Sequence, residues 1–202
     1  MPKQVDHDRR RADIAALVVE VIQREGAESA TVRRVSHEGG FSVGVITHYF
    51  RDKDELIASA FDWLAGESFT ALDATLANAA PGMARLRAAL EFMVPLTGAR
   101  SFPAVWLSLW SGAMHSPALA RVHRRYYARW RRILGRCLAE AARRREVPRP
   151  RSARDAVDLL AAGIDGLWLA VTFESGRFSG ARRKRLVSNL LAAVLALDGG
   201  RR

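Results

Sequence analysis

The spacing of apolar residues near the N-terminus constrains the fold of this chain more than any other feature. Between residues 14 and 22 they recur at positions i, i+3, i+4, i+7 and i+8, which is the spacing of one face of an α-helix. These residues are Ile14, Leu17, Val18, Val21 and Ile22. No proline occurs between residues 3 and 80, and strand-like alternation is not seen anywhere in the sequence. The sequence therefore predicts an all-α fold.

Two short helices are predicted directly after this first helix. Thr31 is suited to cap the N-terminus of a helix through about residue 39, and Gly40 can adopt the left-handed conformation that ends it. Ser42 is suited to cap the next helix, which is expected to reach about residue 50. Phe41 and Ile46 occupy the positions of a hydrophobic staple around that cap.

A long fourth helix and five further helical stretches are predicted to follow. Asp52 and Glu55 have the spacing of a capping box, and the helix that they start is expected to end before Pro81. The later stretches are separated by proline, serine and glycine positions, among them Pro95 and Pro103. The second half therefore reads as a helical bundle.

Composition excludes several classes of protein. The 202 residues contain one cysteine, so an internal disulfide is impossible, and no His or Cys residues have the spacing of metal ligands. The longest uncharged apolar run, residues 186–197, is shorter than the roughly 18 residues that a membrane span needs. The N-terminus lacks the apolar stretch of a secretory signal. We therefore expect a cytoplasmic protein with no membrane partner, no metal and no cofactor.

The net charge of +11 invites a nucleic-acid interpretation, but the charge is unevenly distributed. Residues 1–56 hold nine Lys or Arg and ten Asp or Glu, whereas residues 100–151 hold thirteen Arg and two Glu. The arginines that follow residue 121 are most simply a solvated helix face, and the sequence leaves their role open. A DNA-reading segment has to be identified by local arrangement and not by bulk charge.

Such an arrangement is formed by the two short helices and the glycine-containing turn between them. Two helices joined in this way, packed on a preceding helix, place the second helix in the major groove of DNA. The outer face of the second helix carries small or polar side chains, which can approach base edges. Arg33 and Arg34 at the start of the first short helix, and Lys53 at the start of the fourth helix, can reach bases or phosphates. The candidate DNA-binding residues are Thr31, Arg33, Arg34, Ser42, Val43, Gly44, Thr47, His48, Tyr49 and Lys53. Gly44 has two open roles, close backbone approach to DNA or a tight turn.

The same residues resemble a known family. The string TVRRVSHEGGFSVGVITHYFRDKDEL at residues 31–56 is similar to the DNA-binding domain of TetR-type repressors, and its VITHYF portion to BetI-like members. The resemblance continues through WLSLWSGAMHSPALARVHRR at residues 106–125 and GIDGLWLAV at residues 163–171. It implies about nine helices, with a helix-turn-helix domain over residues 1–52 and an effector-binding and dimerisation domain over residues 53–202, linked by a helix at 53–80. It also implies a dimer interface formed by the last two helices.

The residues independently favour a homodimer. Two strongly apolar helices are expected at residues 152–175 and 179–198, with small residues that allow close approach: Ala161, Ala162, Gly163, Ala192 and Ala193. That is more apolar surface than one bundle face needs, although burial within one chain is the alternative. A two-fold dimer places two recognition helices about 34–36 Å apart, which requires a palindromic double-stranded DNA operator.

Aromatic residues in the second half are candidates for an effector site. With one acidic residue they form the set Phe102, Trp106, Trp110, Tyr126, Trp130, Asp165, Trp168 and Phe173. Aromatic faces attract quaternary ammonium groups, and Asp165 would supply the compensating carboxylate. An inward-turned arginine would instead favour an anionic or acyl ligand. The same spacing also fits an ordinary helical core.

The sequence therefore predicts a DNA-binding transcriptional regulator, a repressor released from its operator by a small-molecule effector. The alternative is a dimeric helical DNA-binding protein with no effector. An enzyme is not expected, because the G-x-S-x-G string at residues 40–44 would need a preceding strand to act as the nucleophile elbow of a hydrolase.

Overall fold

The computed structural model describes residues 7–94 and 102–199, and within these ranges it contains α-helices and two short 3₁₀ turns but no β-strand. The all-α prediction is confirmed. The predicted break at Pro95 lies outside the described residues. The helices are α1 (His7–Glu25), α2 (Val32–Gly39), α3 (Val43–Tyr49), α4 (Lys53–Asn78), α5 (Met83–Met93), α6 (Pro103–Gly112), α7 (Pro117–Arg143), α8 (Ala153–Phe173) and α9 (Gly180–Gly199).

The predicted caps of the two short helices are confirmed. The Thr31 hydroxyl accepts a hydrogen bond from the backbone N–H of Arg34 at 3.2 Å, and Ser42 does the same for Val45 at 3.2 Å. Each bond goes to an N–H group in the first turn of its helix, and the Val45 N–H also donates to the carbonyl of Ser42 at 3.0 Å. Gly40 has φ of 64° in the left-handed region and so ends α2 as predicted.

The start of α4 is a modified capping box. Asp52 accepts from the N–H of Glu55 at 2.8 Å, while the Glu55 carboxylate returns to the N–H of Arg51 at 3.0 Å, one residue earlier than in the usual motif. These backbone hydrogen bonds lower the pKa values of Asp52 and Glu55 because they stabilise the charged carboxylates. At the other end of α4, Arg85 donates to the carbonyls of Leu76 and Ala79.

The chain divides into two compact units. Within the described residues, the first unit runs to Phe69 and resumes over Phe102–Tyr126, and the second takes residues from Thr70 and from Tyr127 onward. The core of the first unit joins the apolar stripe of α1 to fully buried residues of α3 and α4, including Ile46, Leu56 and Phe61. The domain boundary predicted at residue 52 stays a prediction.

The second unit packs α5, α8 and α9 around a separate set of buried side chains. Gly163 on α8 faces Leu190 on α9, where a Cβ would lie 2.6 Å from a Leu190 methyl group, so its lack of a side chain permits the close approach. Helix α8 is long and apolar enough, by length and composition alone, to cross a membrane. However, α8 packs on α9 and α5 and carries the half-buried Asp165, as expected for a core helix.

Candidate DNA-binding surface and effector-binding residues

The outer face of α3 is open to solvent along its whole length. Its predicted DNA-reading residues are all exposed: Ser42, Val43, Gly44, Thr47 and His48. The opposite face of the helix is anchored by Ile46, which is fully buried. Val43 is 47% exposed although it is apolar, which suits contact with the methyl groups of thymine. Helix α3 therefore presents a short, solvent-accessible surface, and its opposite face is held in the core.

Thr47 is held in one orientation on that surface. Its hydroxyl donates to the carbonyls of Val43 at 3.1 Å and Gly44 at 3.3 Å. Because its one proton is used within the helix, the hydroxyl offers only acceptor lone pairs to a partner, together with the side-chain methyl group. Thr47 is therefore suited to an amino group of a base or to a thymine methyl.

The two adjacent arginines of α2 differ in their surroundings. Arg33 is exposed, and within the described residues it has no acidic partner. The guanidinium of Arg34 is held by the carboxylates of Glu25 at 2.6 Å and Glu38 at 3.0 Å. The hydrogen bonds that Glu25 accepts from Arg34 and from Arg24 lower the pKa of Glu25 to about 2. Arg33 is thus ready for a phosphate, whereas Arg34 in this structure joins α2 to the end of α1.

Lys53 and Tyr49 lie at the ends of the helices that flank the turn after α3. The Lys53 ammonium donates to the carbonyl and the carboxylate of Glu28, each at 3.2 Å, and that carboxylate is fully exposed. Tyr49 is half-buried, and its hydroxyl hydrogen-bonds Nδ1 of His7 at 2.9 Å. A DNA phosphate would therefore compete with Glu28 for Lys53.

Two arginines of α1 that the sequence analysis did not single out position α3. Arg10 lies over the ring of Phe41 at 5.4 Å and Arg11 over that of Phe50 at 4.7 Å, and these two rings bracket the helix. Arg11 also donates to the carbonyl of Tyr49 at 2.9 Å and pairs with Glu55 at 3.3 Å. The run of arginines at residues 9–11 was the available signal, but only the packing of α1 shows what they contact.

The predicted effector residues of the first unit form a partial cluster. Tyr126 is buried, and its ring centroid lies 4.9 Å from Trp106 and 5.2 Å from Phe69, a residue that the sequence analysis missed. Phe102, half-buried, adopts a left-handed φ of 41° directly before α6, and Trp110 is half-buried on the same helix. Such edge-tilted rings can form one wall of a pocket.

The predicted effector residues of the second unit differ from one another in burial. Trp130 is fully buried and Trp168 is buried, whereas Phe173 is 70% exposed at the end of α8. The indole N–H of Trp130 has no acceptor among the described residues. Asp165 accepts from the Tyr127 hydroxyl at 2.9 Å, and burial raises the pKa of Asp165 to about 6 although that bond opposes the shift.

In the part of the chain that the structure describes, no three His, Cys, Asp or Glu side chains are grouped as metal ligands. Cys137 is buried, and burial raises the pKa of its thiol, which makes it a poor nucleophile.

Comparison with known families matches both parts of the chain. Residues 15–60 match the family described as bacterial regulatory proteins, tetR family, and residues 82–196 match the BetI-type transcriptional repressor C-terminal family. The first match contains α2 and α3 with all of the exposed α3 residues described above. The second covers more than half of the chain.

Individual proteins that are similar to this chain are also transcriptional regulators. The chain is 33% identical over 199 residues to the HTH-type transcriptional regulator BetI of Paraburkholderia phymatum, covering 97% of this chain and 98% of that one. A transcriptional regulator from Pseudomonas aeruginosa PAO1 is 27% identical with a TM-score of 0.81 over 98% of this chain and 94% of its own. A regulator from Saccharomonospora viridis, solved in complex with choline, shares the fold at 22% identity and a TM-score of 0.76, covering 93% and 96%.

Proposed function

This chain belongs to the TetR family of bacterial regulatory proteins, with a BetI-type C-terminal region, and from that premise we propose that it is a repressor that binds a palindromic operator as a homodimer. It is a DNA-binding transcriptional regulator and not an enzyme. A protein of this kind acts on DNA in the bacterial cytoplasm. The proposal also includes a small-molecule effector that releases the operator.

The observation that carries the DNA-binding proposal is the exposed outer face of α3. Its side chains are open to solvent, its N-terminus is capped by Ser42, and its buried face is fixed by Ile46. We assign base contacts to Val43, Gly44, Thr47 and His48, whose positions allow them to enter the major groove. We assign phosphate contacts to the N-cap residues Thr31 and Ser42 and to Arg33, Tyr49 and Lys53. Arg34 contacts DNA only if it leaves Glu25.

The homodimer proposal is supported by α8 and α9. These helices pack on each other within one chain, yet Ala162, Ala192 and Ala193 remain exposed, and Leu159 is 50% exposed. Small exposed residues beside an apolar one suit a self-complementary helical interface. A second copy would cover them, and light scattering of the purified protein should then give twice the 22.3 kDa chain mass.

We assign the effector to the quaternary ammonium class, with choline as the first compound to test. Within the second unit, Asp165 supplies a carboxylate, and Trp168, three residues later on α8, supplies an aromatic ring. The buried indole N–H of Trp130 lacks an acceptor, which a ligand hydroxyl would provide. The choline complex of the S. viridis regulator supports the choice of ligand.

Release requires that the ligand prefer the conformation that does not bind DNA. We propose that the effector shifts α4, which begins at Lys53, four residues after the last residue of α3, and extends to Asn78. The two recognition helices of the dimer would then no longer match both half-sites of the operator. Release is thus a shift in population between two folded conformations of the dimer and does not require unfolding.

The test begins with in vitro selection of duplexes by the full-length protein, followed by fluorescence anisotropy on the selected sequence. We expect a palindrome, and we expect choline to release it while 3,3-dimethylbutanol, its uncharged isostere, does not. Selection of no duplex would contradict the DNA-binding assignment. Palindrome binding unaffected by choline would leave a regulator without this effector, and a filled aromatic core would then be the simpler interpretation.

A further inference from the structure

A cleft of about 600 Å³ lies within the first compact unit, and it includes none of the predicted effector residues. Its volume falls within the range of about 300–1,000 Å³ that is typical of small-molecule sites. It is lined from α1, from the start of α4 and from the first turns of α7. The lining residues are Asp8, Arg11, Ala12, Ala15, Arg51, Glu55, Ala58, Ser59, Asp62, Trp63, Ala118, Arg121, Val122 and Arg125.

The cleft exists because small side chains face each other across three helices. Its apolar lining consists of four alanines and Val122, with the half-buried ring of Trp63. Methyl side chains cannot fill the space between helix backbones that lie at ordinary packing distances. The result is a hollow with an apolar surface that suits a flat organic body.

The charged residues around this hollow are mostly paired with one another. Arg11 pairs with Glu55, and Arg125 pairs with Asp62. Arg51 pairs with Asp52, which does not line the cleft. Arg121 is exposed and, within residues 7–94 and 102–199, has no acidic or hydrogen-bonding partner.

The helix ends add to the positive potential at Arg121. The first turn of α7 contains no acidic residue, so the partial positive charge of its N–H groups is not offset there. Asp8 also lines the cleft, but it lies in the first turn of α1, where the N-terminus of that helix stabilises its charge. Among the described residues, Arg121 is thus the one lining arginine without an ion-pair partner, and it lies beside an apolar surface.

We propose that this cleft is a second small-molecule site, which binds an organic monoanion, a carboxylate on a flat apolar body. The guanidinium of Arg121 pairs with the carboxylate through two parallel N–H donors. The body of the ligand lies on the alanine surface against Trp63. A second negative charge on the ligand would be repelled by Asp8, Glu55 and Asp62, which limits it to one.

A residue that lines the cleft also contacts the recognition helix, so a bound ligand can affect the DNA-binding surface. Arg11 and Glu55 line the cleft, and Arg11 also donates to the carbonyl of Tyr49, the last residue of α3. A bound ligand that displaced Arg11 from its pair with Glu55 would loosen its bond to that end of the recognition helix. Binding itself does not depend on this consequence or on the choline proposal.

The test is isothermal titration of the full-length protein, without DNA, with 2-naphthoate and with the neutral 2-naphthamide. Arg121→Gln is compared with Arg124→Gln, which removes the same charge from an exposed arginine three positions along α7 but outside the cleft. We expect wild type to bind 2-naphthoate but not the amide, Arg121→Gln to weaken binding about tenfold, and Arg124→Gln to change it less than about twofold.

Three results would overturn the proposal. The first is no binding of 2-naphthoate, benzoate or hexanoate by wild type at concentrations up to about 10 mM. The second is equal weakening by both glutamine variants, which would show attraction to general positive charge. The third is displacement of 2-naphthoate by choline, which would place both ligands in one site. Ala118→Leu, which fills the cleft, should abolish binding while the thermal midpoint shows that the variant is folded.

Discussion

A methyl group on Gly44 would lie 3.8 Å from the hydroxyl oxygen of Ser42 and, outside the backbone of its own helix, would meet no other non-neighbouring atom of the described residues within 4 Å. The folded chain therefore has room for a side chain at this position. Its φ is not in the left-handed region, so the backbone does not need glycine either. Of the two roles that the sequence left open, a tight turn loses its support, and close approach to a partner remains.

Gly44→Ala should therefore separate stability from DNA binding. Alanine is the better helix former, by up to about 1 kcal/mol, so the thermal midpoint should stay the same or rise. The added methyl should nevertheless hold α3 away from the major groove and weaken operator binding by about tenfold or more. Anisotropy and thermal melting on one preparation measure both effects. Unchanged affinity would remove Gly44 from the DNA contact.

The parts of this surface that were predictable from sequence are those set by near neighbours. Thr31 caps a residue three positions later, and Ser42 does the same, so a short pattern of residue types is enough. The pairing of Arg34 with Glu25 depends instead on how α2 packs on the end of α1. Glu38, four positions after Arg34, is a local signal that Arg33 lacks, but nothing local in the sequence indicates the pair with Glu25.

The same distinction applies to the support of α3 and to the candidate effector site. Arg11 and Tyr49 are 38 positions apart, and their contact follows from the tertiary fold alone. Helical spacing identified Trp106 and Tyr126, whereas Phe69, which lies against Tyr126, belongs to α4 and is 57 positions away from Tyr126 in the sequence. Spacing predicts faces, but it does not predict which faces meet.

Lys53 and Glu28 provide a test of phosphate binding. If a phosphate replaces the Glu28 carboxylate on the Lys53 ammonium, Lys53→Ala should weaken binding to all duplexes and reduce the salt slope by about one unit. Glu28→Gln removes the competing charge and should strengthen binding to all duplexes. Affinities measured at four salt concentrations give both slopes. A Lys53→Ala protein with the wild-type slope would show that this ammonium does not contact DNA.

Thr47 allows its two recognition groups to be separated. Its hydroxyl proton is used within α3, so it can read a base through an oxygen lone pair or through its methyl group. Thr47→Val keeps a methyl at that place and loses the oxygen, and Thr47→Ser keeps the oxygen and loses the methyl. Repeating the in vitro selection with each variant should change the preferred base with one of them and not with the other. If both select the wild-type operator, Thr47 does not contribute to sequence readout.

Asp165 connects effector binding to pH-dependent stability. Its pKa of about 6 exceeds the unfolded value of about 4, so between these pH values the folded chain holds a proton that the unfolded chain has lost. The free energy of unfolding should consequently fall as pH rises through this window and then level off.

Asp165→Asn keeps an acceptor for Tyr127 and cannot ionise, so at pH 7.5 it should be more stable than wild type by about 1–2 kcal/mol, a gain that disappears near pH 4. Urea denaturation across this range measures the difference, and Asp155→Asn, at an exposed position in the first turn of α8, is the control. If Asp165 is the counter-charge of a cationic effector, the stabilised variant should also bind choline more weakly. A variant that gains stability but keeps wild-type choline affinity would mean that the buried carboxylate does not face the ligand.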